Sequence, residues 1–153
     1  MEINTASAAI SFARKLEEES ARFYEELSRR YTKDKDIFLS FAKENGKNIV
    51  QVERAYYEAI TDALEGCFSF KINPDDYVFK TEVADRVTYS EALERSIEIE
   101  GKIIKFYSVA AEQSESLMAD VPRTFTFIAK KRDNRRSIVK SLQDKGMLHL
   151  TSN

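Results

Sequence analysis

A short phrase occurs twice in this chain and restricts what the chain can fold into. The phrase Leu/Ile-Glu-x5-Phe-Tyr begins at Leu16 and again at Ile99, 83 residues later. Apolar residues at helical spacing surround both copies, so each copy places its acidic residue, Glu17 or Glu100, on the apolar face of a helix. A buried carboxylate is costly unless something balances its charge. The fold must either supply that balance or let the two side chains reach water at the edge of the apolar stripe.

Helix-breaking residues are scarce, which indicates long helices. The 153 residues include two prolines and four glycines, and a chain of this length can form one domain with its own core. We therefore expect a single domain over residues 1–153. The net charge of −2 provides no strong field for nucleic acid or anionic membranes. No apolar run approaches the roughly 18 residues of a membrane span, so neither partner is expected.

The first residues and the cysteine count indicate a reducing compartment. The segment from Met1 to Thr5 lacks the basic and apolar regions of a secretory signal. Cys67 is the only cysteine, which excludes an internal disulfide and any CxxC metal site. We expect a cytoplasmic protein.

Apolar residues at helical spacing predict four helices in two hairpins. Helix 1 spans about residues 6–31 and helix 2 about residues 37–64, with a short link that makes them antiparallel neighbours. Helix 3 begins after a capping box at Thr88, and helix 4 begins at Asp120. Residues 146–153 are expected to form a frayed tail.

A long crossover, residues 66–86, joins the two hairpins. In it Phe68, Phe70 and Ile72 alternate with polar residues, and Pro74 starts a turn. An extended segment of this length can run from one end of a bundle to the other. The predicted fold is all-α: a ferritin-like four-helix bundle of two helical hairpins joined by a long crossover.

The chain resembles the rubrerythrin-type branch of the ferritin-like superfamily. The resemblance rests on the doubled Glu-x5-Phe-Tyr phrase and on a Phe/Ile-Ala step in helices 2 and 4, at Ala42 and Ala129. It implies that the glutamates of helices 1 and 3, here Glu17 and Glu100, bind iron. It also implies a Glu-x-x-His pair in helices 2 and 4, whose glutamate lies three residues past that alanine. Residues i and i+3 share a helix face, so such a pair points at one metal centre.

The chain departs from the family at all four of these Glu-x-x-His positions. Asn45 and Asn48 stand there on helix 2, and Arg132 and Arg135 stand there on helix 4. An amide carbonyl is a weak neutral ligand, and a guanidinium is no ligand because it stays protonated. We therefore predict a degenerate diiron site with no metal and no cofactor, and iron is the alternative.

The sum of the charges suggests why arginines can stand where the family has metal ligands. In the family, four carboxylates face two divalent irons, and the charges sum to zero. Here Glu17 and Glu100 would face Arg132 and Arg135, and the sum is again zero. Our hypothesis is that the arginines act as internal cations, since the planar guanidinium fork binds carboxylates bidentately. The alternative is that the basic run Lys130–Arg136 forms a solvated face.

A shifted register would instead favour a metal. Moved back by one residue on helix 2 and forward by one on helix 4, Glu44 and Asp133 would join Glu17 and Glu100 in a four-carboxylate site. The apolar stripes favour positions 45, 48, 132 and 135 as the inward ones. In either register Tyr24 and Tyr107 lie beside the site, as similar residues do in the family.

Three functions remain open at this stage. The first is a metal-free bundle with a structural or partner-binding role, a homodimer as the resemblance implies. The second is an iron-dependent oxidoreductase that reduces peroxide or oxidises ferrous iron, as rubrerythrin relatives do. The third is a pocket inside the bundle in which Arg132 and Arg135 hold a small anion or another small molecule.

Overall fold

Four α-helices dominate the described part of the chain. The computed structural model describes residues 2–59, 68–115 and 120–151. In chain order the elements are strand β1 (Ile3–Thr5), helix α1 (Ala6–Arg30), a 3-10 turn (Thr32–Asp34), helix α2 (Lys35–Ala59), strand β2 (Phe68–Ile72), a second 3-10 turn (Pro74–Tyr77), helix α3 (Tyr89–Ser114) and helix α4 (Asp120–Thr151). The predicted all-α, four-helix architecture is confirmed.

The first hairpin forms because strong local signals begin α1 and little separates it from α2. The Thr5 hydroxyl caps α1 by accepting a hydrogen bond from the Ala8 N–H at 3.1 Å. Only Tyr31 and the 3-10 turn lie between the helices, so α1 and α2 pack as antiparallel neighbours. Asn45-Gly46 does not interrupt α2, as the continuous apolar period predicted. The predicted last turn of this helix, residues 60–64, and Cys67 lie outside the described residues.

The crossover adds a small sheet that the sequence did not predict. β2 pairs antiparallel with β1, with Ile3 opposite Ile72. Alternation in β2 buries Phe70 and Ile72 against the bundle, and Ile3 is buried as well. The sequence signalled the alternation but not the partner strand, because a three-residue strand before a helix has no periodicity of its own. The crossover thus covers one flank of the bundle.

The second hairpin begins where predicted and extends further than predicted. Thr88 and Glu91 form both hydrogen bonds of the capping box at the start of α3. α4 runs through Gly146 to Thr151, so residues 146–151, which were expected to fray, are helical. One glycine costs a helix about 1 kcal/mol, and the good helix formers around it offset that cost. His149 is therefore part of α4, but it lies about 21 Å along the axis from Arg135.

The four helices enclose one core. α1 contacts α2 and α3, and α4 contacts α2 and α3, so each helix has two neighbours. Phe23, Phe38, Phe106 and Phe125 are fully buried or nearly so. Glu17 and Glu100, the acidic residues of the repeated phrase, lie inside this core. No helix in the described part of the chain has the length and apolar character that crossing a membrane would require.

Candidate functional site

Six polar residues from all four helices meet inside the bundle. Each is at most 1% exposed. We call this group the core cluster; its members are Glu17 of α1, Asn45 and Asn48 of α2, Glu100 of α3, and Arg132 and Arg135 of α4. The structure thus places all six positions facing inward, as the apolar stripes predicted, and the solvated basic face is wrong for Arg132 and Arg135.

Arg132 lies between the two repeated glutamates. Its Nη2 donates to Glu17 Oε2 at 2.6 Å, and its Nη1 donates to Glu100 Oε2 at 2.8 Å and Oε1 at 2.9 Å. One guanidinium therefore bridges two carboxylates, an arrangement that the count of charges in the sequence did not specify. Burial alone would lower the pKa of Arg132, but the Glu100 and Glu17 carboxylates more than offset this and raise it. The side chain is a permanent cation.

Arg135 plays a different part from Arg132. Its Nη1 lies 3.8 Å from Glu100 Oε2, and its Nη2 pairs with Glu44 Oε1 at 3.1 Å. Its guanidinium carbon also stands 4.7 Å from the ring centre of Phe41 and 5.3 Å from that of Tyr24. These distances allow cation–π attraction to both rings. Arg135 therefore connects the buried pair to the rim of the bundle, where the Glu44 side chain is 36% exposed.

The two tyrosines of the repeated phrase cross over between its copies. Tyr107 donates to Glu17 Oε1 at 2.7 Å, and Tyr24 donates to Glu100 Oε2 at 2.6 Å. Each glutamate is therefore held by the tyrosine of the other copy, which gives the core cluster an approximate twofold arrangement. Tyr24 and Tyr107 thus lie beside the core cluster, where they were expected, and each copy of the phrase supplies one glutamate and one tyrosine to this arrangement.

Two serines complete the polar surroundings. Ser20 accepts hydrogen bonds from Arg132 Nη1 at 3.0 Å and from Asn45 Nδ2 at 3.3 Å. Ser96 shares a hydrogen bond of 2.8 Å with the Tyr24 hydroxyl. Sequence reasoning did not assign either serine to the site. Their positions within the apolar stripes of α1 and α3 could have indicated this role, because a buried hydroxyl needs a hydrogen-bond partner.

The two asparagines of the core cluster differ in the strength of their hydrogen bonds. Asn45 Oδ1 accepts from Arg132 Nη2 at 2.8 Å and from Arg135 Nη1 at 2.9 Å. Asn48 donates only weakly, with its Nδ2 at 3.4 Å from both oxygens of Glu17. Among the described residues, Asn48 Oδ1 and the Nε atoms of both arginines have no hydrogen-bond partner. An unsatisfied buried polar atom costs about 1–3 kcal/mol, so the core cluster is satisfied in charge but not in every hydrogen bond.

The shifted register with four carboxylates does not form. Glu44 lies on the rim as the partner of Arg135, and the Asp133 side chain is 57% exposed and pairs with Arg136 at 2.6 Å. Within the described ranges, no group of three or more His, Cys, Asp or Glu side chains has a spacing that suits a metal ion. The helical rotation that buries Arg132 turns the adjacent Asp133 outward, since neighbouring residues differ by about 100° around the axis.

The residues present do not fit the diiron centre of the family that the chain resembles. Such a centre needs a carboxylate from each of two helices and a Glu-x-x-His pair from each of the others. Here only Glu17 and Glu100 could donate lone pairs as anions, and the Arg132 guanidinium lies between them. A protonated guanidinium donates hydrogen bonds and offers no lone pair to a metal.

The interior also has little to offer an anion. The void beside Glu17 and Tyr107 has no room for a water molecule. The terminal nitrogens of both arginines already donate to protein oxygens at 2.6–3.1 Å. An anion would therefore have to displace at least one of these protein oxygens from the arginines.

The phenols of Tyr24 and Tyr107 should resist ionisation. Burial raises the pKa of both well above the usual value, and the neighbouring carboxylates, Glu100 and Glu17, raise it further. A raised pKa in the folded state leaves stability intact below the unfolded value of about 10 and lowers it as pH rises beyond that. We expect an absorbance titration at 295 nm to show at least two of the seven tyrosines ionising late, together with alkaline unfolding.

Single substitutions identify these late tyrosines. Tyr107→Phe and Tyr24→Phe should each remove one tyrosine from the late phase. The control is Tyr57→Phe, since Tyr57 is 68% exposed and its replacement should leave the late phase unchanged. Ionisation of Tyr107 well before unfolding would contradict its place in the core cluster.

Comparisons with protein-family models, with curated proteins and with solved structures found no match for the chain.

Proposed function

We propose that this protein is a ferritin-like bundle of the rubrerythrin type that works without an iron centre, as a structural or binding protein. The observation that carries the proposal is the position of Arg132. Its fully buried guanidinium bridges Glu17 and Glu100 with contacts of 2.6 and 2.8 Å. The resemblance to the rubrerythrin-type family implies that metal ions occupy this place between the corresponding glutamates of its members.

Electrostatics supports this proposal over an iron-dependent oxidoreductase. The four charged members of the core cluster sum to zero, so the two buried carboxylates are already balanced. A divalent ion entering between them would have to displace a side chain that cannot lose its proton, which leaves an uncompensated cation nearby. The arrangement therefore favours a role in which the cluster joins the four helices and the outer surfaces meet the partner or ligand.

A homodimer remains part of the proposal. Three apolar side chains on α2 are at least 39% exposed: Leu39, Val50 and Tyr57. Spacings of 11 and 7 residues place them on one face of the helix. We propose pairing through this helix face, because a second copy packed on it would remove these side chains from water.

Metal content tests the proposal directly. Protein produced in iron-supplemented medium should contain far less than one iron per chain, and added ferrous iron should not protect it against thermal unfolding. About two irons per chain, the number held by the family's helix-bundle site, would contradict the proposal.

A reconstructed site tests the likeness to ferritin-like bundles separately. The variant Asn45→Glu, Asn48→His, Arg132→Glu, Arg135→His restores Glu-x-x-His on α2 and on α4. If the helices keep the geometry of the family, this variant should bind about two Co²⁺ ions per chain, seen as visible absorption and as a higher melting temperature with metal. The matched control carries Lys43→Glu and Gly46→His, which have the same three-residue spacing at exposed positions of α2, and should bind no more Co²⁺ than the wild type. A folded reconstructed variant without Co²⁺ would argue for a different kind of helical bundle.

A further inference from the structure

A cleft at one end of the bundle has the size and lining of a small-molecule site. It measures about 400 Å³ and lies where α2 and α3 begin and α4 passes. Pockets for small molecules measure about 300–1,000 Å³, so this one suits a small ligand. Its apolar lining comes from three helices, through Ile37, Leu93 and Leu142, and no member of the core cluster lines it.

One wall of the cleft is held in place by its own contacts. The Tyr89 ring packs against Tyr31 with 4.8 Å between ring centres and against Phe38 with 6.2 Å. The Tyr89 hydroxyl donates to the Asp34 carboxylate. That contact occupies Asp34, which is the only acidic side chain lining the cleft in the described residues. The cleft is therefore preformed, which reduces the ordering cost of binding.

The charge around the cleft indicates the sign of its ligand. Lys33 and Lys145 line it, and neither has an ion-pair partner among the described residues. Two ammonium groups face one carboxylate that is already hydrogen-bonded, so the rim carries a net positive charge. The hydroxyl of Ser90, at the second position of α3, adds a neutral donor on the same rim.

We propose that this cleft binds a small amphipathic carboxylate, such as a medium-chain fatty acid. The aliphatic chain would lie over Ile37, Leu93 and Leu142, and the carboxylate would lie between Lys33 and Lys145. The apolar lining disfavours a fully polar anion, because burying its polar groups without partners is costly. The lysines disfavour a neutral or cationic amphiphile by comparison. This site does not depend on the proposed loss of iron, and its test leaves the iron content of the protein aside.

A second, wider groove does not indicate what kind of ligand it would bind. The larger groove between α3 and α4 is about 1110 Å³, and Arg123, Lys130 and Asp133 line it with both signs of charge. Mixed charges around a wide groove favour no single class of ligand.

The test uses sodium decanoate with the 153-residue chain, measured by calorimetry and by amide NMR shifts. Decanoate should bind at least tenfold more tightly than decanol or decyltrimethylammonium. The largest shifts should fall at Ser90, Leu93 and Gln143, with small shifts at the core cluster. These NMR data need no variant, so they test the site even if a substitution prevents folding.

A pair of matched double variants tests the charged rim. Lys33→Glu with Lys145→Glu should weaken decanoate binding at least tenfold. The control, Lys43→Glu with Lys140→Glu, makes the same change in net charge at exposed positions of α2 and α4 outside the cleft, and should weaken binding less than twofold. No saturable binding of decanoate, equal binding of decanol, or equal losses in the two double variants would each overturn the proposal.

Discussion

Replacing Arg132 with alanine should lower the free energy of unfolding by about 3–5 kcal/mol, the range expected when one partner of a buried ion pair is removed. The side chain is 0% exposed and bridges Glu17 and Glu100. Without it, two buried carboxylates would face only Arg135, which lies 3.8 Å from one oxygen of Glu100. For a domain of this size the loss corresponds to a fall in melting temperature of about 6–20 °C, measurable by calorimetry or circular dichroism.

Lys131→Ala is the control for that substitution. Lys131 is adjacent in the sequence and carries the same charge, but its Nζ makes only a 3.4 Å hydrogen bond to Gln51 and stands 5.2 Å from the ring centre of Phe127. Its replacement should cost less than about 1 kcal/mol, because half-exposed charges contribute little to stability. If both variants lost equally little stability, Arg132 would not be needed to balance the charges of Glu17 and Glu100.

A double-mutant cycle between Glu100 and Arg132 should show strong coupling. Arg132→Met leaves the core cluster with an excess negative charge, and Glu100→Gln leaves it with an excess positive charge. The double variant is neutral again, with Glu17 and Arg135 as its remaining charges. We therefore expect the double variant to be destabilised by about 1–3 kcal/mol less than the sum of the single losses, from urea unfolding curves of the four proteins.

A surface pair calibrates this cycle. Arg29 and Glu26 form an ion pair of 2.7 Å whose side chains are 65% and 38% exposed. The cycle of Glu26→Gln with Arg29→Met repeats the same chemistry in water, where coupling should stay below about 1 kcal/mol. If the buried cycle were no more strongly coupled than this surface cycle, desolvation and packing of each residue, and not charge balance, would explain the cost of removing Arg132.

Helical periodicity and the resemblance to the rubrerythrin-type family together predicted the members of the core cluster. A helix buries one face, and the apolar stripes of α2 and α4 continue through positions 45, 48, 132 and 135, so polar residues at those positions were expected to point inward. The repeated phrase did the same for Glu17 and Glu100. The capping box at Thr88 was equally predictable, because a helix cap depends on neighbouring residues.

Partner choice within the cluster was not predictable in the same way. The stripe of α4 gives no reason why Arg132 takes both glutamates while Arg135 turns to Glu44 and to the rings of Phe41 and Tyr24. Those choices depend on how far each helix slides and rotates against its neighbours, and on which rotamer reaches which oxygen. The pairing of β1 with β2 is of the same kind, since it joins segments more than 60 residues apart.

The sequence alone determined that the chain forms long helices. It also indicated that these helices carry two carboxylates and two guanidinium cations on their inward faces, because spacing is a local property and a helix repeats every 3.6 residues. Only the tertiary structure decided that one guanidinium would bridge both acids and that each tyrosine would hold the glutamate of the other repeat. Distances between helices are set by the packing of all four at once, and no single stripe contains that information.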